Sequence, residues 1–175
     1  MPTDIALLIV RVVVGLLMFV HGAQKLFGWF GGHGLTATST MMGTHARLRP
    51  AKLWTLVGGL SEVGGGLLFA LGLLTPLGAL GIAAAMITAS ITVHWGQVLK
   101  MPLPYVATAI AVGLIGPGQY SLDVLLGVAL PTPATYLYGL VAVLIGVVAM
   151  LVTRAPAPDA VVSTAPNSRS TANAA

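Results

Sequence analysis

The chain has 175 residues, of which 57% are hydrophobic and only 7% are charged, whereas soluble domains carry about 25% charged residues. So few charged groups cannot cover a water-facing surface, which excludes an ordinary soluble globular domain. The net charge of +4 comes from a few clustered bases, which indicate a membrane surface and not a nucleic-acid partner. Cysteine is absent, so thiol nucleophiles, disulfides and iron–sulfur ligation within the chain are excluded.

Five apolar segments predict an all-α, polytopic membrane helical bundle. The first covers residues 5–22, is interrupted only by Arg11, and is long enough to cross a bilayer core of about 30 Å. Asp4 and the lack of a cleavage site argue against a signal peptide, so we predict that this helix is retained. The remaining spans are predicted at residues 53–74, 77–95, 105–115 and 136–152.

The fourth span is short for a transmembrane helix. It either begins near Leu99, tilts, or combines with residues 121–130 as a broken or re-entrant element. Between the first two spans, residues 38–49 are too polar to cross and predict an amphipathic interfacial helix. We therefore expect a transmembrane core over residues 1–130, an additional helix over 131–153, and a disordered cytoplasmic tail over 154–175.

The charged residues of the loops separate by side in a five-span topology. One side receives all of the loop bases: Lys25, Arg47, Arg49, Lys52, Lys100 and Arg154. The other side receives Asp4 and Asp123 and no base. The positive-inside rule then predicts an amino terminus outside the cell and a carboxyl terminus in the cytoplasm.

Two ionisable residues, Arg11 and Glu62, fall inside predicted spans, where such residues are costly and indicate function. Arg11 shares a helical stripe with Gly15, Met18 and Gly22, and small residues mark helix contacts, so both charges are expected to face the bundle interior. Counted from the predicted helix ends, their Cα depths differ by about 6 Å. We predict an Arg11–Glu62 ion pair, either a structural clip that fixes helix register or part of proton or quinone chemistry.

Two histidines, His21 and His94, lie near the same membrane face. With Lys25 they are candidate contacts for a quinone or another ligand, while the simpler interpretation is that they meet water and phosphate. A haem between them is disfavoured. No metal site is expected, because His33 and His45 lack a metal-ligand spacing.

Two loops carry further candidates. Gly116-Pro117-Gly118 predicts a sharp turn in which Ser121 and Asp123 cap backbone donors, which we favour over a catalytic role. Arg47, Arg49 and Lys52 form a basic group that predicts contact with anionic lipid, with a cytoplasmic protein partner as the alternative.

Several motifs follow one another over about residues 5–127. The first is Arg11 within the first helix. The others are His21-Gly22-x-x-Lys25-Leu26-x-Gly28-x-Phe30-Gly31-Gly32, Glu62-x-Gly64-Gly65-Gly66-x-Leu68, Gly72-x-x-Thr75-Pro76, the His94 segment, and Gly116-Pro117-Gly118-x-Tyr120-Ser121-Leu122-Asp123. Each motif is weak alone, and their order together is fairly specific. In this order they resemble the DoxX family of small bacterial membrane proteins.

The resemblance implies a four-helix core in the bacterial plasma membrane and kinship with the small membrane subunit of thiosulfate:quinone oxidoreductase. It implies a redox-linked membrane subunit or scaffold, tied to quinone or oxidative stress, with a soluble cytoplasmic oxidoreductase as its partner. An accessory subunit is expected more than an enzyme, because residues 100–105 lack the acidic segment of many relatives and the resemblance assigns no catalytic role to any residue. The fifth span also exceeds the usual core.

Two other function classes stay open. A small proton-linked transporter would suit intramembrane charges and broken helices, although the chain shows no inverted repeat and only one carboxylate inside a predicted span. A purely structural membrane component would use Arg11 and Glu62 only for stability. The glycine-rich faces are compatible with packing inside one chain or in a homo-oligomer.

Overall fold

The computed structural model describes residues 2–92 and 102–156, and all regular structure in these ranges is helical. This confirms the predicted all-α fold class. Four helices of the described part, α1, α3, α4 and α7, are long and apolar enough to cross a membrane, which supports a multi-pass membrane protein. The helices are α1 Pro2–Leu26, α2 Gly34–Thr44, α3 Ala51–Leu71, α4 Thr75–Thr92, α5 Pro102–Ile115, α6 Leu122–Leu126 and α7 Ala134–Val152, with a 3₁₀ turn at Trp29–Gly31.

Several helix boundaries differ from the predicted ones. α2 begins at Gly34 and ends at Thr44, so Arg47 and Arg49 lie in the following loop and not on an interfacial helix. α5 has 14 residues and therefore spans only about 21 Å. In residues 121–130 only α6 is helical, with five residues. The predicted end of the third span near Trp95, and the predicted tail from residue 157 onward, lie outside the described residues.

Glycines bring α1 and α3 into close contact. A Cβ atom at Gly66 would lie 2.6 Å from the backbone oxygen of Gly15, and one at Gly22 would lie 2.8 Å from that of Gly59. Both helices place these glycines seven residues apart, so the contact repeats after two turns. Because a side chain at these positions would separate the backbones, the glycines fix the register of the two antiparallel helices.

A tight turn joins α3 to α4. Gly72 ends α3 in the left-handed conformation with φ 63°, and its N–H donates to carbonyls of the last turn of α3. The two helices then pack through small residues, and a Cβ at Gly65 would lie 3.1 Å from the Cα of Gly81. The α3–α4 hairpin therefore returns the chain to the end from which α3 started.

The main apolar core lies around α4. Met18, Phe69, Ile82, Met86 and Val112 belong to it and come from four different helices. Tyr136 extends the core to α7, and its ring lies against Gly113 of α5, where a Cβ would meet it. The last helix is thus packed on the bundle and is not a separate anchor.

Apart from Arg11 and Glu62, the charged residues of the described part lie at opposite ends of the bundle. We call the end where α1 and α7 finish and α3 begins the basic end, and it contains Lys25, Arg47, Arg49, Lys52 and Arg154. The opposite end, which contains Asp4 and Asp123, is called the acidic end. Lys100, predicted with the other bases, lies outside the described residues.

Candidate functional site

Arg11 and Glu62 are both buried inside the bundle, with 0% and 1% of their surfaces exposed. The predicted stripe of α1 is confirmed, since Arg11, Gly15, Met18 and Gly22 are all buried. An unpaired charge in an apolar interior is very unfavourable, so each side chain requires polar partners. The two residues find these partners at different ends of the molecule.

Glu62 pairs with Lys25, which lies in the last turn of α1. Lys25 Nζ donates to Glu62 Oε1 and forms a salt bridge with it. The Lys25 side chain keeps 31% of its surface exposed, so the ammonium group can be reached from outside the bundle. Glu62 Oε2 has no hydrogen-bond donor among the described residues. This oxygen is buried, so only Lys25 of the pair can be contacted from outside the bundle.

A cavity of about 240 Å³ lies beside Lys25, and we call it the Lys25 cavity. Its size lies just below the range of about 300–1,000 Å³ that is typical of small-molecule sites, which limits an occupant to a small head group. Most of its lining is apolar, with a lysine and several threonines as the polar groups. The lining residues include Lys25, Thr38, Met41, Met42, Trp54, Thr55, Gly59 and Thr92.

His21 lies on α1 one turn before Lys25. Its Nδ1 lies 2.9 Å from the backbone oxygen of Leu17, and its ring meets the ring of Tyr105 edge to face, with centroids 6.1 Å apart. The Leu17 carbonyl requires a proton on Nδ1, which leaves Nε2 as the acceptor in the neutral ring. His94, the second predicted ligand contact, lies outside the described residues.

Arg11 is held at the acidic end. Its Nη2 donates to the backbone oxygen of Tyr120, and its guanidinium lies against Gly72. Asp123 is the carboxylate whose charge acts on Arg11. Arg11 Nε and Nη1 have no acceptor among the described residues. Because a Cβ at position 72 would overlap the guanidinium, Gly72 serves both the turn and the burial of Arg11.

Asp123 is fully buried and caps the start of α4 from a distant part of the sequence. Its Oδ1 accepts from the backbone N–H of Leu74 at 2.6 Å, and Oδ2 accepts from the N–H and hydroxyl of Thr75 at 2.9 and 2.7 Å. The Asp123 N–H in turn donates to Gly72 O at 2.8 Å. Both carboxylate oxygens are therefore occupied by donors that the α3–α4 turn leaves free.

The Gly116-Pro117-Gly118 turn leads into this capping site. Gly116 and Gly118 have φ of 102° and 76°, which a residue with a side chain rarely adopts. Ser121 then caps α6 by accepting from the N–H of Val124. At the other side of the turn, the N–H of Gln119 donates to Asp4 at 3.0 Å, which joins the turn to the start of α1.

The predicted Arg11–Glu62 ion pair is wrong. Gly72, which contacts Arg11, follows Glu62 by ten residues, which corresponds to about 15 Å along a helix. Helical side chains lean toward the amino terminus of their helix, so Arg11 points to the acidic end and Glu62, on the antiparallel helix, points to the basic end. The small difference in depth between the Arg11 and Glu62 Cα atoms was counted from the predicted helix ends. The glycine contacts between α1 and α3 instead fix how far one helix is shifted along the other.

The basic end also gathers Arg47, Arg49, Lys52 and Arg154. Arg154 Nε donates to Ala46 O and the N–H of Ala155 donates to Arg47 O, each at 2.9 Å. These bonds tie the end of α7 to the loop after α2. Within residues 2–92 and 102–156 none of the four bases has a carboxylate partner. No carboxylate of the described part therefore compensates the charge of this group.

Sequence reasoning missed the Lys25–Glu62 pair, although a signal for it was present. Gly15 and Gly22 on the first helix have the same seven-residue spacing as Gly59 and Gly66 on the second. Matching these pairs in antiparallel order places Glu62 near the end of the first helix, within reach of Lys25.

Comparison with known proteins agrees with this architecture. The DoxX family model matches residues 6–95, which is just over half of the chain and includes Arg11, His21, Lys25 and Glu62. Neither the curated proteins nor the solved structures contain a match. The chain belongs to the DoxX family.

Proposed function

We propose that this DoxX protein is the membrane subunit of a quinone-linked oxidoreductase complex and that a quinone head group binds in the Lys25 cavity. The observation that carries the proposal is the position of Lys25, because its partly exposed side chain lines the cavity and is paired with the buried Glu62 carboxylate. Membership of the DoxX family supports the same class, because the resemblance to this family implies kinship with the small membrane subunit of thiosulfate:quinone oxidoreductase.

The residues of the cavity suit both forms of such a ligand. Lys25 Nζ can donate to a carbonyl oxygen, and the threonine hydroxyls of the lining can accept from a hydroxyl. Met41, Met42 and Trp54 supply apolar surface for a ring. In this arrangement Lys25 orients the head group. Glu62 is bonded to Lys25 but does not line the cavity, so it exchanges protons with the head group only through the Lys25 ammonium group.

Electrons must come from another protein. Conversion of a quinone to a quinol takes up two electrons and two protons, and a chain without cysteine has no thiol or iron–sulfur centre to relay the electrons. A soluble oxidoreductase docked at the basic end would supply them. We therefore place this chain in the complex as the subunit that binds the quinone and passes protons, without a redox centre of its own.

Labelling with a photoreactive quinone analogue tests the site. We expect the label on residues lining the Lys25 cavity, and competition by unlabelled quinone. Lys25→Gln should weaken binding by about tenfold or more, because a hydrogen bond to a charged group contributes about 1.5–3 kcal/mol. Lys52→Gln removes the same charge from an exposed position on α3 and should leave binding unchanged.

Glu62→Gln is the second variant, since it keeps a polar group beside Lys25 and is less disruptive to folding. Binding is compared only between variants with native helical content. Labelling outside the cavity, or equal binding by Lys25→Gln and Lys52→Gln, would remove the basis for the proposal. Purification from native membranes in mild detergent then tests the complex, because a stoichiometric oxidoreductase must accompany the chain.

We further infer that the basic end faces the cytoplasm, as the positive-inside rule requires. The absence of cysteine allows a clean test, because any introduced thiol is unique. Gln119→Cys at the acidic end should react with a membrane-impermeant maleimide in intact spheroplasts. His45→Cys at the basic end should react only after permeabilisation, and the opposite pattern would invert the topology.

A further inference from the structure

A groove runs along the outside of the bundle between α3, α4 and α7. It has a volume of about 250 Å³, and its walls are almost entirely apolar. Small residues from the three helices form its floor, among them Gly58, Ser61, Ala84 and Gly146. A Cβ atom at Gly58 or Gly146 would meet no other atom within 4 Å, which shows that these glycines face open space and not a neighbouring helix.

The groove leads to the basic end of the bundle. Trp54 and Met150 line it there, and the Trp54 indole N–H donates to Arg49 O and to Thr153 Oγ1. Lys52 precedes Trp54 by two residues, and Arg154 follows Met150 by one turn. Because Trp54 bonds Arg49 O and Thr153 Oγ1, the bases Arg49 and Arg154 lie near this end of the groove, and Lys52 lies on the same turn of α3 as Trp54.

Among the described residues these bases have no carboxylate partner. The sequence contains only four carboxylate side chains; Glu62 is paired with Lys25, while Asp4 and Asp123 lie at the acidic end. The fourth, Asp159, is outside the described residues. Several positive charges at the end of an apolar groove match a molecule with a negative head group and a long hydrocarbon chain.

We propose that this groove is a binding site for an anionic phospholipid, with one acyl chain between α3, α4 and α7 and its phosphate between Arg49, Lys52 and Arg154. The groove adjoins the Lys25 cavity, with which it shares Trp54, Gly58, Thr88 and Met150, but the lipid proposal does not depend on the proposed quinone-linked function. It holds one lipid in a defined place and thereby joins α7 to the rest of the bundle. A phosphatidylcholine has the same chains but a neutral head group, and is bound less well.

Fluorescence of Trp54 provides the test, because this residue lines the groove. The full chain carrying Trp29→Phe and Trp95→Phe has Trp54 as its single tryptophan. It is reconstituted in phosphatidylcholine vesicles containing either brominated phosphatidylglycerol or brominated phosphatidylcholine, whose bromines quench tryptophan on contact. We expect the brominated phosphatidylglycerol to quench at a much lower mole fraction.

Two sets of variants separate the groove from the head-group site. Gly146→Leu fills the groove and should abolish the preference, whereas Gly64→Leu, also in open space but away from the groove lining, should retain it. Arg49→Gln with Lys52→Gln should lower the preference by about 30-fold, because each base near a membrane surface contributes about fivefold. Arg49→Lys with Lys52→Arg preserves the charges and should preserve the preference.

Equal quenching by the two brominated lipids would overturn the proposal. A preference that survives Gly146→Leu would overturn it as well, because the charges would then attract lipid without a defined acyl site. If the Arg49→Gln and Lys52→Gln variant keeps its lipid preference but loses a copurifying protein, the basic surface serves that protein and not a lipid.

Discussion

The Lys25–Glu62 salt bridge provides the most direct test of the helix register. Removing Lys25 as Lys25→Met would leave the Glu62 carboxylate, 1% exposed, without any partner for either oxygen among the described residues. Breaking a buried ion pair from one side costs about 3–5 kcal/mol. Because Lys25 itself is 31% exposed and water can approach, we expect the lower end, about 3 kcal/mol.

Glu62→Gln should be milder. The lysine that remains can turn toward water or headgroups, and the amide can still accept one hydrogen bond, so we expect a loss of about 1–2 kcal/mol. In the double variant, which combines Lys25→Met with Glu62→Gln, no charge of the pair stays buried. The double loss should therefore be smaller than the sum of the single losses, by about 1–3 kcal/mol.

Arg11 serves as the control for this cycle. Arg11→Met should be destabilising, but its effect should add to that of Glu62→Gln within about 0.5 kcal/mol, as expected for separated sites. Unfolding free energies are measured by titrating the protein in mixed micelles with sodium dodecyl sulfate and following helical circular dichroism. The register derived from the glycine contacts would be refuted if the stability losses of Arg11→Met and Glu62→Gln were strongly non-additive. It would also be refuted if those of Lys25→Met and Glu62→Gln simply added.

Three further substitutions and one control test individual contacts, all by the same unfolding assay. Gly66→Leu should prevent the close approach of α1 and α3 and cost about 3 kcal/mol or more, whereas Gly64→Leu, whose Cβ meets open space, should change stability by less than about 0.5 kcal/mol. Asp123→Asn should cost about 2–4 kcal/mol, because an amide cannot accept all three hydrogen bonds from Leu74 and Thr75, and a stable variant would exclude the capping role. Tyr136→Phe should be neutral or stabilising by about 1 kcal/mol, since the buried hydroxyl has no partner among the described residues, and a clear loss of stability would reveal an unseen acceptor.

The sequence was informative wherever periodicity or composition determines structure. The apolar segments predicted the long helices α1, α3, α4 and α7, because a bilayer requires continuous apolar length. The stripe containing Arg11 and Gly15 identified the buried face of α1, because small residues are selected where helices touch. Both features are local and can be read from one helix at a time.

Features that join distant segments could not be read in this way. Asp123 caps α4 across 48 residues, and nothing near Thr75 indicates which side chain will reach it. The partner of Glu62 depends on the register of α3 against α1, because the two cations of α1, Arg11 and Lys25, lie 14 residues or about four turns apart. The boundary of α2 was missed because its threonines and glycines give weak amphipathic periodicity, so the predicted range followed the methionines and arginines instead.

The two buried charged sites differ in how a ligand could reach them, and this difference supports the proposed site at the basic end. Arg11 and Asp123 are both 0% exposed, and both oxygens of Asp123 are occupied by donors from the α3–α4 turn. Arg11 Nε and Nη1 have no acceptor among the described residues, but a ligand could reach them only if the turn opened. Lys25, by contrast, lines a cavity and remains partly exposed, so a ligand can contact its ammonium group without a rearrangement of the bundle. Because both sites leave buried polar atoms without partners among the described residues, it is access that favours a head group beside Lys25.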